Sequence, residues 1–149
     1  MRREETVDYN IKAAWHAIAR MYNQQAVKHD ITMSMGFVLL NINSEHGTPA
    51  TKIAPLMGLE ARSLTRLLKS MEEKGLVYRE ADASDKRLVR IVLTKEGRRK
   101  KEKARETVLR FNQVVRDQIE VGKLSVFFEV LQQISRIIEK ENIYEKIQS

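Results

Sequence analysis

The sequence contains no cysteine. That absence removes a disulfide framework, a thiolate metal site, a cysteine nucleophile and a thiol redox sensor in one step. Proline is scarce too: Pro49 and Pro55 are the only two, so no proline interrupts a helix over the last 94 residues. Long apolar runs are missing. The longest stretch without a charge, residues 31–44, is 14 residues long and includes Thr, Ser and Asn, too short and too polar to span a bilayer. The opening MRREETVDYN is charged and has no apolar region of the kind a secretory signal needs. The chain is therefore expected to be cytoplasmic, with no membrane partner. His16, His29 and His46 stand singly, without an HExxH pair, a glycine-rich phosphate loop or an Asp/His cluster. No metal, no cofactor and no enzymatic activity are expected.

What the sequence does have is positive charge in one place. Residues 60–105 hold 15 Lys/Arg and 8 Asp/Glu, which accounts for the whole net charge of +7; the remainder holds twelve of each. A basic block of this kind suits an anionic partner, nucleic acid first, although a solvated basic surface would give the same count.

Periodicity divides the chain into three zones. Ile11, Ala14, Trp15, Ile18, Met21 and Tyr22 recur at helical spacing and predict a long helix over 6–30. A second helix is expected over 34–45, closed by His46 and Gly47. Thr48 and Pro49 then open a brief helix over 51–57, closed by Gly58, and a further helix follows over 60–74. Two strands are expected at 76–80 and 88–93, the second with Val89, Ile91 and Leu93 alternating with Arg90 and Val92. Residues 81–87 form the loop between them. The last zone, 94–149, reads as two long helices, the first N-capped by Thr94, with Gly122 interrupting the pattern. The expected fold is mainly α with a small β-hairpin wing. A winged helix-turn-helix core over 32–94 would be flanked by helical dimerisation regions at 1–31 and 95–149.

The helix at 60–74 carries two opposed faces. At 100° per residue, Leu64, Leu67, Leu68 and Met71 cluster together, while Arg62, Thr65, Arg66 and Lys69 cluster roughly 160° away. A DNA-recognition helix needs that division, an apolar side to seat on the domain and Arg and Thr to reach base edges and phosphates. An ordinary amphipathic surface helix would look similar. The hairpin adds to the case: its loop presents the adjacent cations Lys86 and Arg87, with Asp85 placed to hold the Arg87 side chain by a charge-assisted hydrogen bond. Arginine suits a narrow minor groove because its guanidinium tolerates desolvation.

Three linked segments carry a family resemblance. Gly75-Leu76-Val77-Tyr78-Arg79, then Asp85-Lys86-Arg87, then Val92-Leu93-Thr94-Lys95-Glu96-Gly97 are similar to the wing signature of the MarR family of multiple antibiotic resistance regulators. The upstream run from Leu59 to Leu68 resembles that family's recognition helix. The resemblance implies a homodimeric transcription regulator, a repressor responsive to a small ligand, bound to double-stranded DNA at a pseudo-palindromic operator. It implies Arg62, Ser63, Thr65 and Arg66 in the major groove, Arg87 at the wing tip in the minor groove, and Arg79 and Asp85 as supports of the wing. It further implies a small, often aromatic, effector, for which Trp15, His16, Met33 and Phe37 are the candidate lining residues; plain core packing explains the same side chains. The alternative function is a basic helical module that binds RNA or a protein without operator specificity, although no RNP-like aromatic strand pair or GXXG loop is present.

Two further expectations concern single residues. Pro55 falls inside the short helix and is tolerable if that helix begins near Lys52. Lys100 is expected on the outer face of the following helix as a flexible, exposed ammonium. With no thiol present, mild peroxide should leave DNA affinity nearly unchanged, since only slow methionine oxidation remains. A rapid loss of binding that dithiothreitol reverses would contradict this.

Overall fold

A computed structural model of the protein describes residues 1–145. A short 3-10 turn at Arg3–Glu5 leads into α1 (Val7–Lys28), followed by α2 (Met33–Leu40), β1 (Thr48–Pro49), α3 (Ala50–Met57), α4 (Ala61–Glu73), β2 (Val77–Ala81), β3 (Val89–Leu93), α5 (Lys95–Gln118) and α6 (Val121–Lys140). The chain divides into two compact units, Met1–Val108 and Leu109–Ser149.

The first unit holds the core. Val38 and Leu39 of α2, Ile53 of α3, Leu64, Leu68 and Met71 of α4, and Leu76, Val77, Ile91 and Leu93 of the hairpin region bury against one another. Burial of these side chains supplies the main driving force, about 1.5–3 kcal/mol for each large apolar group. Thr32 starts α2 by accepting the Met35 amide at 3.1 Å on its hydroxyl. The helix stops at Leu40, five residues short of the sequence-based expectation. Asn41 donates from its side-chain amide to the Phe37 carbonyl, and the Asn43 carboxamide oxygen accepts the Glu45 and His46 amides. These local bonds offer the backbone an alternative to the helix, and Ile42 is buried in the resulting turn.

Gly47 consequently does not close a helix. Its φ of +69° brings the chain against β3, where a Cβ would stand 2.5 Å from the Ile91 carbonyl oxygen. This close approach lets Thr48–Pro49 form a third strand. The sheet order is β1-β3-β2, wholly antiparallel, with Thr48 opposite Ile91 and Val77 opposite Leu93. A two-residue strand has no readable periodicity, and its proline is compatible with an edge position.

α3 begins at Ala50, two residues earlier than Pro55 was expected to permit. Pro55 sits in the interior of the helix. The missing donor falls in the last turn, and Thr51, whose carbonyl it would have served, is exposed, where water can replace the bond. Gly58 closes α3 in the left-handed conformation.

Thr94 ties the hairpin to α5. Its hydroxyl accepts the Gly97 amide at 2.9 Å and donates to the Gly75 carbonyl at 2.6 Å. In the second unit the helix break falls at Ile119 and Glu120, and Gly122 lies within the first turn of α6 rather than between helices. Leu124 is buried there, while Val121, Val126, Phe127, Phe128, Val130, Ile137 and Ile138 are exposed.

Replacing a helical glycine by alanine ordinarily stabilises a protein, by about 1 kcal/mol. At Gly97 the sign should invert, because the new methyl carbon would lie 1.9 Å from the Leu76 carbonyl oxygen. Gly97→Ala is expected to destabilise by about 1–3 kcal/mol in urea unfolding, as overpacking does. A neutral or stabilising result would contradict the packing of α5 on the hairpin.

Candidate nucleic-acid interface

α4 shows the division expected from its periodicity. Leu64, Leu68 and Met71 are buried and Leu67 is half-buried, whereas Arg62, Ser63, Thr65, Arg66 and Lys69 are exposed. Among the described residues, Arg62, Arg66 and Lys69 make no ion pair within the chain. Their charges are therefore not neutralised internally. The Thr65 hydroxyl donates to the Ala61 carbonyl at 2.9 Å, which leaves its oxygen facing outward as an acceptor.

Arg79 supports the wing from an unexpected partner: its guanidinium pairs with Glu72 in the last turn of α4 at 3.3 Å. Asp85 grips Arg87 as expected. Its Oδ1 accepts both the Arg87 amide (3.0 Å) and Nε (3.1 Å), and its Oδ2 accepts Nη2 at 3.2 Å. The Arg87 guanidinium beside it holds the Asp85 carboxyl below the usual carboxylate range. The Arg87 side chain nevertheless remains 90% exposed, so it is oriented without being covered. Lys86, its neighbour at the tip, is exposed and makes no ion pair among the described residues.

The residues that fix the wing's base were missed in the sequence. Asp82 is only 6% exposed. Its Oδ1 accepts the Ser84 and Asp85 amides, and its Oδ2 accepts Arg90 Nη2 at 2.7 Å and Nε at 3.2 Å. Arg90 Nη1 reaches on to the His46 and Gly47 carbonyls, both at 3.2 Å. One carboxylate and one guanidinium thus join the loop, β3 and the turn before β1. The alternation in β3 groups Val89 with Ile91 and Leu93, yet Val89 is exposed and Arg90 is half-buried. The signal was available as opposite charges at the two ends of a short hairpin loop.

Other lysines bind the elements around this surface. Lys100 is not the exposed ammonium expected: its side chain is 12% exposed and donates to the His29 carbonyl at the end of α1. Lys101 donates to the Ile42 carbonyl (2.5 Å) and the Ser44 hydroxyl (2.9 Å), and burial lowers its pKa. Lys74 at the end of α4 donates to the Asp30 carbonyl at 3.3 Å and lies 3.6 Å from its carboxylate.

The first unit also contains a partly open, largely apolar cavity. Tyr22 and Ala26 of α1, and His29 and Ile31 of the turn after it, form one side. Met33, Gly36, Phe37 and Leu40 of α2 form a second, and Ala104, Thr107 and Val108 of α5 a third. Of the four candidate effector-lining residues, Met33 and Phe37 line this cavity. Trp15 and His16 do not; both are exposed on α1, and Trp15 packs its ring 6.4 Å from that of Phe37. Helical spacing pointed to the right helix but not to which of its turns faces the cavity. Tyr22, His29 and Thr107 converge from segments far apart in sequence, a meeting that periodicity cannot reveal. Among the described residues no group of three or more His, Asp or Glu is placed to hold a metal ion, and no helix is long and apolar enough to cross a membrane.

The family model described as "MarR family" matches residues 31–89, the segment from the start of α2 to β3. The organic hydroperoxide resistance transcriptional regulator of Bacillus subtilis is 30% identical over 104 residues, covering 70% of this chain and 71% of that protein. The chain belongs to the MarR family. A further relative, the HTH-type transcriptional regulator TtmR of Methylorubrum extorquens, is 37% identical over 90 residues, 60% of this chain and 46% of that protein. The chain spans about half the length of several curated relatives that it matches. Among solved structures, S. aureus MepR in its DNA complex shares the MarR fold with a TM-score of 0.80 at 23% identity, over 88% of this chain and 97% of that one.

Stability toward acid should report the Asp82–Arg90 link. Bonding to Arg90, reinforced by the Ser84 and Asp85 amides, lowers the Asp82 pKa in the folded chain. A depressed folded pKa contributes stability above the ordinary value near 4, and that contribution is lost as pH falls further, through the folded value. Asp82→Asn should therefore lower Tm at pH 7 and flatten the decline in Tm below pH 4. An unchanged acid limb would show that the pair contributes nothing to folding.

Proposed function

We propose that this chain is a sequence-specific, double-stranded-DNA-binding transcription regulator, a ligand-responsive repressor working in the cytoplasm as a homodimer on a pseudo-palindromic operator. The observation that carries this reading is the outer face of α4. Arg62, Ser63, Thr65, Arg66 and Lys69 stand exposed there and the cations are unpaired within the chain, while the opposite face is locked into the core. Arg62 and Arg66 can bond bidentately to guanine in a major groove, Ser63 can donate to base edges or phosphates, and the Thr65 oxygen can accept from a base amino group. The wing adds Lys86 and an Arg87 already oriented by Asp85, suited to the minor groove and its phosphates.

In this reading residues 32–94 form the DNA-binding lobe, and 1–31 with 95–149 join two copies. Exposed apolar side chains in the terminal helices support the pairing: Ile11 and Trp15 in α1, and Phe127, Phe128, Ile137 and Ile138 in α6. The cavity beside α2, lined by Met33 and Phe37, is the proposed seat of a small effector.

Two measurements test the proposal. Arg66→Ala should cost about 1–3 kcal/mol on the preferred duplex and relax discrimination at one base pair per half-site. Arg87→Ala should instead weaken preferred and scrambled duplexes together and lower the salt slope by about one per subunit. If Arg87→Ala binds both duplexes as the parent does, the wing assignment fails. If single-stranded RNA competes as well as duplex, the DNA reading fails. In sedimentation, the chain should be a dimer, and Phe127→Glu with Ile138→Glu should yield monomers; a parent that sediments as a monomer would overturn the dimer.

A further inference from the structure

The walls of the cavity hold one titratable cation, the His29 imidazole, and no permanently charged side chain. None of its eleven lining residues, all among the described residues, is Lys, Arg, Asp or Glu, and most are aliphatic, aromatic or glycine. Its polar groups are few. The Thr107 hydroxyl donates to the Lys103 carbonyl at 2.9 Å, and the Tyr22 phenol, whose pKa burial raises, stays protonated. Two neighbouring lysines of α5 are committed elsewhere. Lys100, one helical turn before Ala104, donates to the His29 carbonyl and lies 3.8 Å from Glu96; Lys103 pairs with Glu106 at 3.6 Å. An anion drawn into such a site would lose its water and gain no permanent counter-charge, which is the costliest form of burial.

We infer that the cavity selects uncharged, largely apolar small molecules and rejects carboxylates of the same shape. Phe37 presents a ring to it, held edge-on by Tyr22 at 6.0 Å, which favours a flat hydrophobic guest. The inference rests on the effector reading above and adds the charge class of the ligand.

The molecule contains its own reporter. Trp15 is the only tryptophan, and its ring lies 6.4 Å from that of Phe37, so occupation of the cavity should perturb its fluorescence. The full chain is titrated at pH 8, where histidine side chains are in general uncharged, with two shape-matched pairs: methyl benzoate against benzoate, and cyclohexylmethanol against cyclohexanecarboxylate. Thermal shift provides a second readout. The neutral member of each pair should bind at least about tenfold more tightly, a difference of roughly 1.4 kcal/mol. Thr107→Lys should raise benzoate affinity relative to methyl benzoate. Gly36→Ala should weaken the neutral compounds several-fold, since its methyl would make ordinary contacts at 3.7 Å to Ala104 and 3.8 Å to Ile31 and so narrow the cavity without strain. If benzoate binds as tightly as methyl benzoate and Gly36→Ala weakens both, the charge inference is overturned while the effector site stands. If no compound binds, or if Gly36→Ala changes nothing, the charge inference and the effector site are both overturned.

Discussion

The pairing of buried Asp82 with half-buried Arg90 holds the wing and the turn before β1 in place. A carboxylate with 6% exposure must be satisfied or it destabilises the fold, and here Asp82 accepts two loop amides and two guanidinium bonds. Because Arg90 continues to the His46 and Gly47 carbonyls, the same charges fix the wing loop and the turn that places β1 against β3. Asp85 can then hold Arg87 outward, since the loop supporting it is already set. The tip keeps its charge available while its backbone is tied down.

The helix α4 is held in a complementary way. Its apolar face lies in the core, Glu72 near its end pairs with Arg79 of β2, and Lys74 reaches the turn after α1. That turn runs from His29 to Ile31, both of which line the cavity, with Asp30 between them at φ +57°. One turn thus serves both, lining the cavity through His29 and Ile31 and receiving Lys74, from the end of α4, at Asp30. This gives a proposed effector a short physical route to α4, made of contacts present in the chain rather than of distance alone.

Much of this was legible in the sequence because it depended on periodicity and local chemistry. The two faces of α4, the alternation of Ile91 and Leu93, the Gly58 and Gly75 helix ends and the Asp85–Arg87 contact all follow from residues close together in the chain. What was not legible depended on meetings between distant segments. β1 is two residues long and exists because Gly47 lets the chain approach Ile91. α2 ends early because Asn41 and Asn43 bond their own backbone, a choice that hydrophobic spacing does not register. Lys100 looked like a surface charge because the carbonyl it serves, at His29, lies 71 residues away. The cavity was half read for the same reason: Met33 and Phe37 belong to α2 itself, whereas Tyr22, His29 and Thr107 are brought to it by the fold.

In the proposed complex, two copies of this chain each present an α4 face and a wing to duplex DNA. Selection of bound sites from a random duplex library by the intact chain tests it most directly. Enriched sites should have two-fold character, their half-sites separated by about one helical turn, roughly 34 Å. Enriched sites without two-fold symmetry, or no enrichment of any sequence over random duplex, would contradict it.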